Sequence, residues 1–242
     1  MNHSKVYANV DSIETMGLVD GPGIRVVIFL QGCNLRCLYC HNPETWTCEK
    51  KNLMTVEGIL NKVLKYKNYI IDKGGVTFSG GEPLLQSDFI YECALALKKE
   101  GFHICIDTSG VGKDYLKLMD LVDLFIVDVK SLYPEEYKYI TGKEELSQFH
   151  KFMSEIIEKN KKIWLRQVIV PGINDTEEHI KELAKFAKKI PNVEKVELLP
   201  YHTYGMKKYE ELNIKYRLKD VPALSKDKEA YLNEILNSNL KK

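Results

Sequence analysis

Three closely spaced cysteines are the residues of this sequence whose types and spacing most clearly suit chemistry. Cys33, Cys37 and Cys40 form the pattern Cys-x3-Cys-x2-Cys directly after the apolar run at residues 25–30. Three thiolates at this spacing can bind three irons of an iron–sulfur cube and leave the fourth iron open. An open iron has a coordination position for a ligand that is not protein, which indicates chemistry and not only electron storage. The sequence therefore predicts a 4Fe–4S cluster in a loop at the end of a strand.

Other kinds of site fit these cysteines less well. A structural zinc ion needs four protein ligands, with no coordination position left open. His41 is adjacent to Cys40 and is badly placed to share one ion with it. Cys48 would reach such an ion only if the loop folded back. A thioredoxin-like pair at Cys37 and Cys40 would leave Cys33 without a role, and a disulfide needs an oxidising compartment. The spacing favours an open iron–sulfur cluster and keeps zinc as the main alternative.

Longer motifs around the cysteines carry a family resemblance. The aromatic Tyr39 precedes the last cysteine, the run VDGPGIR occupies residues 19–25, and QGC and YCHNP occupy residues 31–33 and 39–43. These motifs resemble the radical S-adenosylmethionine superfamily, and within it the activases of glycyl radical enzymes, most closely those of the pyruvate formate-lyase type. The likeness extends over most of the chain. Only residues 44–53 separate the loop from the first predicted helix, so the ferredoxin-like insert of several other activases is absent.

The resemblance implies an oxidoreductase in which S-adenosylmethionine binds the open iron. One electron delivered through the cluster would cleave it to methionine and a 5′-deoxyadenosyl radical. This radical would remove an α-hydrogen from a specific glycine of a partner enzyme, pyruvate formate-lyase, with reduced flavodoxin or ferredoxin as the electron donor. No side chain is then needed as general acid, base or nucleophile, because the cofactors carry the chemistry. The alternatives are activation of another glycyl radical enzyme, or a non-catalytic protein that binds an iron–sulfur cluster or zinc.

The resemblance also assigns roles to individual residues. The implied cluster ligands are Cys33, Cys37 and Cys40. The residues expected to contact the cofactors are Tyr39, His41, Gly80, Gly81, Glu82, Asp128, Val129, Lys130, Ser131, Leu132 and His202. A monovalent cation is expected beside the S-adenosylmethionine, with Asp107, Thr108 and Asp128 as its ligands.

The residues themselves support part of this assignment and leave other interpretations open. Asp107 and Asp128 follow apolar strands, where a carboxylate without a partner is costly, so Lys130 or a bound cation should lie near them. A structural ion pair at the rim of the sheet would satisfy the same requirement. Gly80 and Gly81 would let the backbone approach a bound group, although a tight turn explains the same pattern.

Short apolar runs alternate with amphipathic segments along the chain, which is typical of repeated βα units with a parallel sheet. Strands are predicted at residues 25–31, 76–79, 103–108, 124–128, 163–170 and 193–199. Helices are predicted at about residues 56–71, 88–100, 115–121, 134–141, 146–159, 176–189 and 225–240, with an irregular connection at residues 207–222. The expected fold is a single α/β domain over residues 1–242, a partial (β/α)6 TIM-type barrel with the cluster loop at residues 32–46. Each predicted strand leads into polar or glycine-containing sequence at its C-terminal end, where the active sites of such barrels gather.

Composition narrows the class of protein. The 242 residues include 35 lysines and arginines against 34 aspartates and glutamates, so no strong net charge favours nucleic acid or an anionic membrane as a partner. No apolar run approaches the length that spans a bilayer. Residues 1–5 lack the apolar core of a signal peptide, and the cysteines then imply a reducing, cytoplasmic setting.

Overall fold

The computed structural model describes residues 6–241, and the prediction made on residues 1–5 lies outside them. The strands are β1 (Tyr7–Gly17), β2 (Arg25–Leu30), β3 (Leu53–Thr55), β4 (Gly75–Gly80), β5 (Ile104–Thr108), β6 (Leu124–Asp128), β7 (Lys162–Ile169) and β8 (Val193–Pro200). The α-helices are α1 (Val56–Leu64), α2 (Lys67–Ile70), α3 (Ser87–Lys99), α4 (Leu116–Met119), α5 (Pro134–Thr141), α6 (Leu146–Glu158), α7 (Glu177–Lys188), α8 (Met206–Glu211) and α9 (Lys226–Leu240). None of the helices in this range combines the length and the hydrophobicity needed to cross a lipid bilayer.

The strands form one open sheet whose larger part is parallel. Their order is β3-β1-β2-β4-β5-β6-β7-β8, and β2 and β4 to β8 pair in parallel with their neighbours. These six strands are the six that the sequence predicts, each within one residue at either end. The predicted partial (β/α)6 barrel is therefore confirmed. Because β3 and β8 are the two edges of the order, the sheet does not close into a ring.

Two strands, β1 and β3, are not predicted from the sequence. β1 pairs antiparallel with β2, and β3 pairs antiparallel with β1, so both extend the sheet beyond its parallel part. The pairing of β1 shifts register between Val10 and Ser12 and again between Glu14 and Gly17. These irregularities break the alternation of buried and exposed positions that marks a strand in sequence. β3 has only three residues and is too short to show any period.

The two faces of the parallel sheet differ in chemistry. Phe78 and Ile106 are fully buried in the apolar core that the strands share with the helices. Successive side chains of a strand point to opposite faces, so the next residues, Ser79 and Asp107, point to the inner face. Both of these polar side chains line a cavity there. The helices thus cover an apolar outer face, and the inner face carries polar groups at the strand ends beside the small apolar cluster of Cys105, Leu124 and Ile126.

The helices match the prediction except in three places. The helix predicted over residues 56–71 divides into α1 and α2, because the Tyr66 N–H donates to the Val63 carbonyl at the shorter spacing of a 3₁₀ turn. The φ of Tyr66, −108°, also departs from helical values. α4 is shorter than predicted, and α8 forms inside the connection that was expected to be irregular.

The N-terminal cap of α1 gives a test of local stability. The Thr55 hydroxyl accepts a hydrogen bond from the Gly58 N–H at 3.0 Å. Thr55→Ala removes this acceptor and should lower the free energy of unfolding by about 1 kcal/mol, as measured by urea denaturation. Thr55→Ser keeps a hydroxyl and should retain most of the stability. Equal losses in the two variants would contradict the capping role.

Candidate active site

The cysteine loop leaves β2 at the C-terminal end of the parallel strands and folds back on itself. The Gly32 N–H donates to the Thr45 carbonyl at 2.8 Å. The side-chain amide of Gln31 donates to the carbonyls of Glu44 and Thr47, both at 2.8 Å. Hydrogen bonds between its two ends therefore fix the shape of the loop.

The three predicted cluster ligands lie along one cavity. Cys33, Cys37 and Cys40 are free, partly buried thiols, and all three line it. Burial is the main cause that raises the pKa of Cys33 to about 12 and that of Cys37 to about 11, and a neighbouring thiol adds to each shift. Metals bind the thiolate, so a cationic centre would supply the stabilisation that these buried sulfurs lack as anions. The thiols thus suit a positively charged iron centre.

Cys48 comes close to the loop because the loop folds back. A Cβ atom placed on Gly32 would lie 3.2 Å from the Cys48 sulfur. Cys48 is nevertheless exposed, and it is not part of the cavity lining that includes the other three thiols. Within residues 6–241, no three His, Cys, Asp or Glu side chains are grouped closely enough to hold a single metal ion.

Glu82 is buried and hydrogen-bonded through both carboxylate oxygens. It accepts bonds from the hydroxyls of Thr108 and Ser109 and from the N–H groups of Leu84 and Ser109. Burial raises the pKa of Glu82, and these donors oppose that shift. The carboxylate therefore joins the ends of β4 and β5.

Gly80 and Gly81 pack the end of β4 directly against the cysteine loop. Gly80 has a φ of 111°, and a Cβ atom on it would lie 2.2 Å from the Leu30 nitrogen. A Cβ atom on Gly81 would lie 2.1 Å from the Gly32 oxygen. The Gly81 N–H donates to the Leu30 carbonyl at 2.8 Å. Both glycines line the cavity, and both are also required for this close contact between backbones.

A buried ion pair lines the same cavity. The Lys130 ammonium donates to Asp128 and lies over the Tyr39 ring, 5.3 Å from its centroid. Burial acts to lower the pKa of Lys130, but Asp128 and other neighbours hold it well above its usual value. Lys130 therefore remains charged, and the partner expected for Asp128 is present.

Asp107 has a different partner, Arg166 of β7, which the sequence analysis does not single out. The Arg166 guanidinium lies 4.0 Å from an Asp107 oxygen, to which the Ser79 hydroxyl also donates at 3.2 Å. Arg166 donates in addition to Glu197 at 2.8 Å and to the Val19 carbonyl. Burial raises the pKa of Asp107 to about 6, and Arg166 opposes that shift. The predicted cation ligand is thus part of an ionic network on the inner face.

Two buried polar atoms near these groups lack a hydrogen-bond partner among the described residues. They are one carboxylate oxygen of Asp128 and the hydroxyl of Tyr39. A buried polar atom without a partner costs free energy, so both atoms favour a ligand that bonds to them. Together with the three thiols and the Lys130 ammonium, they suit a metal cluster and a charged organic molecule. The residues therefore fit both cofactors that the resemblance implies.

His41 and His202 stack on each other at the edge of the cavity. Their ring centroids are 4.0 Å apart, and the His41 Nε2 atom lies 3.2 Å from the His202 carbonyl oxygen. Burial lowers the pKa of both histidines, which favours neutral rings. His41 lines the cavity, and His202 lies behind it.

Besides His202, three residues predicted to contact the cofactors are not among those that line the cavity. Val129 and Ser131 are fully buried, and Leu132 packs against the apolar core. The Ser131 hydroxyl donates to Glu136, which ties this segment to α5. These residues hold in place the strand end that bears Lys130.

The part of the chain around α8 clamps the cysteine loop, a contact that the sequence analysis misses. The Tyr209 hydroxyl donates to the Cys40 carbonyl at 3.0 Å, and Arg217 donates to the Arg36 carbonyl. The partners are 169 and 181 residues apart in the chain. No local pattern indicates such distant contacts.

Known proteins with similar sequences identify the family. Residues 27–187 match the family model of the Radical SAM superfamily. The pyruvate formate-lyase-activating enzyme of Clostridium pasteurianum is 48% identical over 237 residues, which cover 96% of this chain and 99% of that protein. That of Staphylococcus epidermidis is 41% identical over 235 residues, which cover 92% and 93%. The chain belongs to the pyruvate formate-lyase-activating enzymes of the Radical SAM superfamily. Membership of this superfamily implies a 4Fe–4S cluster and S-adenosylmethionine, as the sequence predicts.

Solved structures with low identity share the fold of this radical SAM protein. A domain of a pyruvate-formate lyase-activating enzyme from Bacteroides vulgatus aligns with a TM-score of 0.53 at 24% identity, covering 69% of this chain and 94% of that one. A radical SAM methyltransferase from Sphaerobacter thermophilus aligns with a TM-score of 0.63 at 15% identity, covering 89% and 64%. At these identities the likeness supports the fold alone.

Asp107 should make the stability of the protein depend on pH. Burial raises the pKa of this carboxyl from 3.8 to about 6, so the folded protein holds the proton more tightly than the unfolded chain. The resulting stabilisation is fully present below about pH 4 and is lost as the pH rises through about 6. Asp107→Asn stays uncharged, so its unfolding free energy should decline less over this interval in urea denaturation at a series of pH values.

The exposed Asp72 provides the matched control for this experiment. Asp72→Asn makes the same chemical change outside the ionic network and should follow the wild-type curve. A decline in Asp107→Asn as large as that of the wild type would show that Asp107 is not the group responsible.

Proposed function

We propose that this protein activates pyruvate formate-lyase with a 4Fe–4S cluster and S-adenosylmethionine. The observation that carries the proposal is one cavity lined by three thiols, the Asp128 carboxylate and the Lys130 ammonium. It lies at the C-terminal ends of parallel strands, where barrels of this type place their active sites. Relatives that are 48% and 41% identical over nearly the whole chain bear the name of that activity.

The residues predicted from the sequence receive the following roles in this proposal. Cys33, Cys37 and Cys40 bind three irons of the cluster and leave the fourth open. Tyr39, His41, Gly80, Gly81, Glu82, Asp128, Lys130 and His202 form the S-adenosylmethionine site, and Val129, Ser131 and Leu132 support it. Asp107, Thr108 and Asp128 are the proposed ligands of a monovalent cation. When bound, the reduced cluster supplies the electron that splits S-adenosylmethionine into methionine and a 5′-deoxyadenosyl radical, which takes an α-hydrogen from a glycine of the partner.

The side chains act by binding and orienting and not by proton transfer. Lys130 stays cationic in the cavity, so it can bind an anionic group, and the free oxygen of Asp128 can accept a hydrogen bond. Exclusion of water strengthens both contacts. Because a carbon radical attacks nearly any C–H bond, the position of the substrate decides which hydrogen is removed. We therefore assign no general acid or base.

The open sheet offers an entrance for the glycine loop of the partner. β3 and β8 are edges of the sheet and do not pair with each other. A glycine suits this reaction because no side chain blocks the approach and its backbone reaches conformations that other residues avoid. We infer that a loop of pyruvate formate-lyase enters between these edges to reach the cavity.

We propose reduced flavodoxin or ferredoxin as the electron donor and the cytoplasm as the location. All six cysteines are free thiols, which is typical of proteins from a reducing compartment. The near balance of charge, 35 basic against 34 acidic residues, gives no reason to expect nucleic acid as a partner. In this proposal residues 1–242 work as one domain, with the cluster loop at residues 32–46.

Anaerobic reconstitution with iron and sulfide tests the proposed function. With dithionite and S-adenosylmethionine, the protein should form methionine and 5′-deoxyadenosine. With pyruvate formate-lyase added, the doublet electron paramagnetic resonance signal of a glycyl radical should appear. Normal loading of iron and sulfide without cleavage would contradict the proposal and favour a non-catalytic cluster protein. Cleavage without the doublet would indicate another glycyl radical enzyme as the partner.

Single cysteine variants test the ligand assignment. Cys33→Ala, Cys37→Ala and Cys40→Ala should each abolish cleavage, because each variant removes one iron ligand. Cys93→Ala is the matched control, since Cys93 lies on α3 and its thiol is fully buried in the apolar core. It should keep most of the cleavage activity. Similar losses in all four variants would overturn the assignment.

A further inference from the structure

Three neighbouring aromatic rings lead from the cavity to the protein surface; the first pair is stacked, and the planes of the second pair are tilted by 42°. His41 lines the cavity, and its ring centroid is 4.0 Å from that of His202. The His202 centroid is in turn 4.3 Å from that of Tyr204. Tyr204 is 85% exposed, the largest exposure of any large hydrophobic residue in the described part of the chain. We refer to His41, His202 and Tyr204 as the aromatic row.

The inner end of the aromatic row adjoins a proposed cluster ligand, because His41 directly follows Cys40 in the loop. The segment that bears the other two rings packs closely on the same loop. A Cβ atom on Gly205 would lie 3.1 Å from the His41 Cα, and the Tyr209 hydroxyl donates to the Cys40 carbonyl. Packed atoms therefore connect the exposed ring to the region where the cluster binds.

The exposed ring at the outer end has little effect on packing within the fold. A side chain that is 85% exposed removes little apolar area from water, so its contribution to folding is small. Tyrosine is, however, among the residues that dominate the binding energy of protein interfaces. An exposed tyrosine whose ring contacts a neighbouring ring, as Tyr204 contacts His202, loses less conformational freedom on forming such a contact.

Two positively charged side chains lie at the cysteine loop, Arg36 within it and Arg217 hydrogen-bonded to it. Arg36 donates to the carbonyls of Cys33 and Leu35, and Arg217 donates to the Arg36 carbonyl. Across residues 6–241, neither guanidinium forms an ion pair with a carboxylate. Lys207 is also exposed, and its pairing with a glutamate at 3.6 Å is a surface contact of small energy. Uncompensated charge of this sign favours a partner with an acidic surface.

We propose that Tyr204, Lys207 and Arg217 form the docking surface for an acidic one-electron carrier protein with a reduced flavin or iron–sulfur group. One electron leaves the carrier and reduces the cluster, so the carrier is oxidised by one electron and no bond is made or broken. Redox partners of this kind use small interfaces, below about 1,200 Å² in total, for which one aromatic anchor and a few charges suffice. The inference rests on the proposed function, since only a cluster that is reduced in each cycle needs such a surface.

The rate of cluster reduction tests the role of Tyr204. Reduction of the reconstituted protein is followed as loss of visible absorbance, once with reduced flavodoxin and once with dithionite, which is small and needs no docking. Tyr204→Ala should slow reduction by flavodoxin about tenfold and leave reduction by dithionite unchanged. Tyr204→Phe keeps the ring and should restore most of the rate. Tyr69→Ala, which removes a tyrosine that is 66% exposed on α2, is the matched control and should behave as wild type.

Binding of oxidised flavodoxin provides a readout that needs no electron transfer. Titration calorimetry should show weaker binding, with a smaller dependence on salt, for Lys207→Glu than for the wild type. Lys185→Glu is the matched control, because both lysines are exposed on helices and each lies 3.6 Å from a carboxylate of its own helix. Equal affinities in the two variants would contradict the proposed surface.

The outcomes separate this inference from the proposed function. Wild-type rates of reduction by flavodoxin in Tyr204→Ala would overturn the docking proposal. If Tyr204→Ala is reduced normally by flavodoxin but no longer gives the glycyl radical signal, the docking proposal is also overturned. The surface would then bind pyruvate formate-lyase and not the electron carrier. If the proposed function is wrong, the dithionite-reduced wild-type protein would fail to cleave S-adenosylmethionine, whatever residue stands at position 204.

Discussion

The pairing of charges inside a largely buried cavity is the constraint on which the active site depends. Carboxylates and thiolates lose hydration when they are buried, and an opposite charge or several hydrogen-bond donors, as at Glu82, must compensate for that loss. Lys130 supplies the cation for Asp128, and Arg166 supplies it for Asp107. Among the described residues, burial raises the pKa values of Cys33 and Cys37, and Lys130 opposes this shift only in part, at Cys37. Iron completes the balance, so binding of the cluster and stability of the loop are coupled.

Rigid backbone contacts give those charges their positions. The end of β4 packs against the cysteine loop through glycines, where any side chain would collide with the carbonyl of Gly32 or the nitrogen of Leu30. From the other side, Tyr209 holds the Cys40 carbonyl. The loop is thus held between the end of β4 and the segment around α8. This suits a protein whose cofactors perform the chemistry, because its own contribution is to bind, orient and exclude water.

The parallel strands could be predicted because both of their faces are covered, which leaves continuous apolar runs in the sequence. Period-2 alternation also explains the cofactor residues: Asp128 and Lys130 point to the cavity, while Val129 and Ser131 between and after them are buried. Other features leave weaker signals. Arg166 inside an apolar strand indicates a buried charge, but its partner cannot be read from local sequence.

Contacts between distant parts of the chain account for most of what the sequence analysis misses. The bulges in β1 remove the strand signal, and no local pattern joins Tyr209 to Cys40 or His202 to His41. These contacts depend on how the whole sheet curls and on which loops it brings together. The resemblance does predict Glu82 as a cofactor contact, but the local sequence does not show that its carboxylate is buried.

An open sheet leaves two strands with unpaired backbone groups, and such edges readily join those of other molecules. β3 exposes little of this kind, because it is only three residues long. β8 is longer, but Glu194 and Lys195 are exposed along it and it ends in Pro200, which lacks an N–H group. Charge, proline and short length are common means of preventing aggregation at sheet edges. The protein can therefore keep a barrel open for a partner and still avoid self-association through that opening.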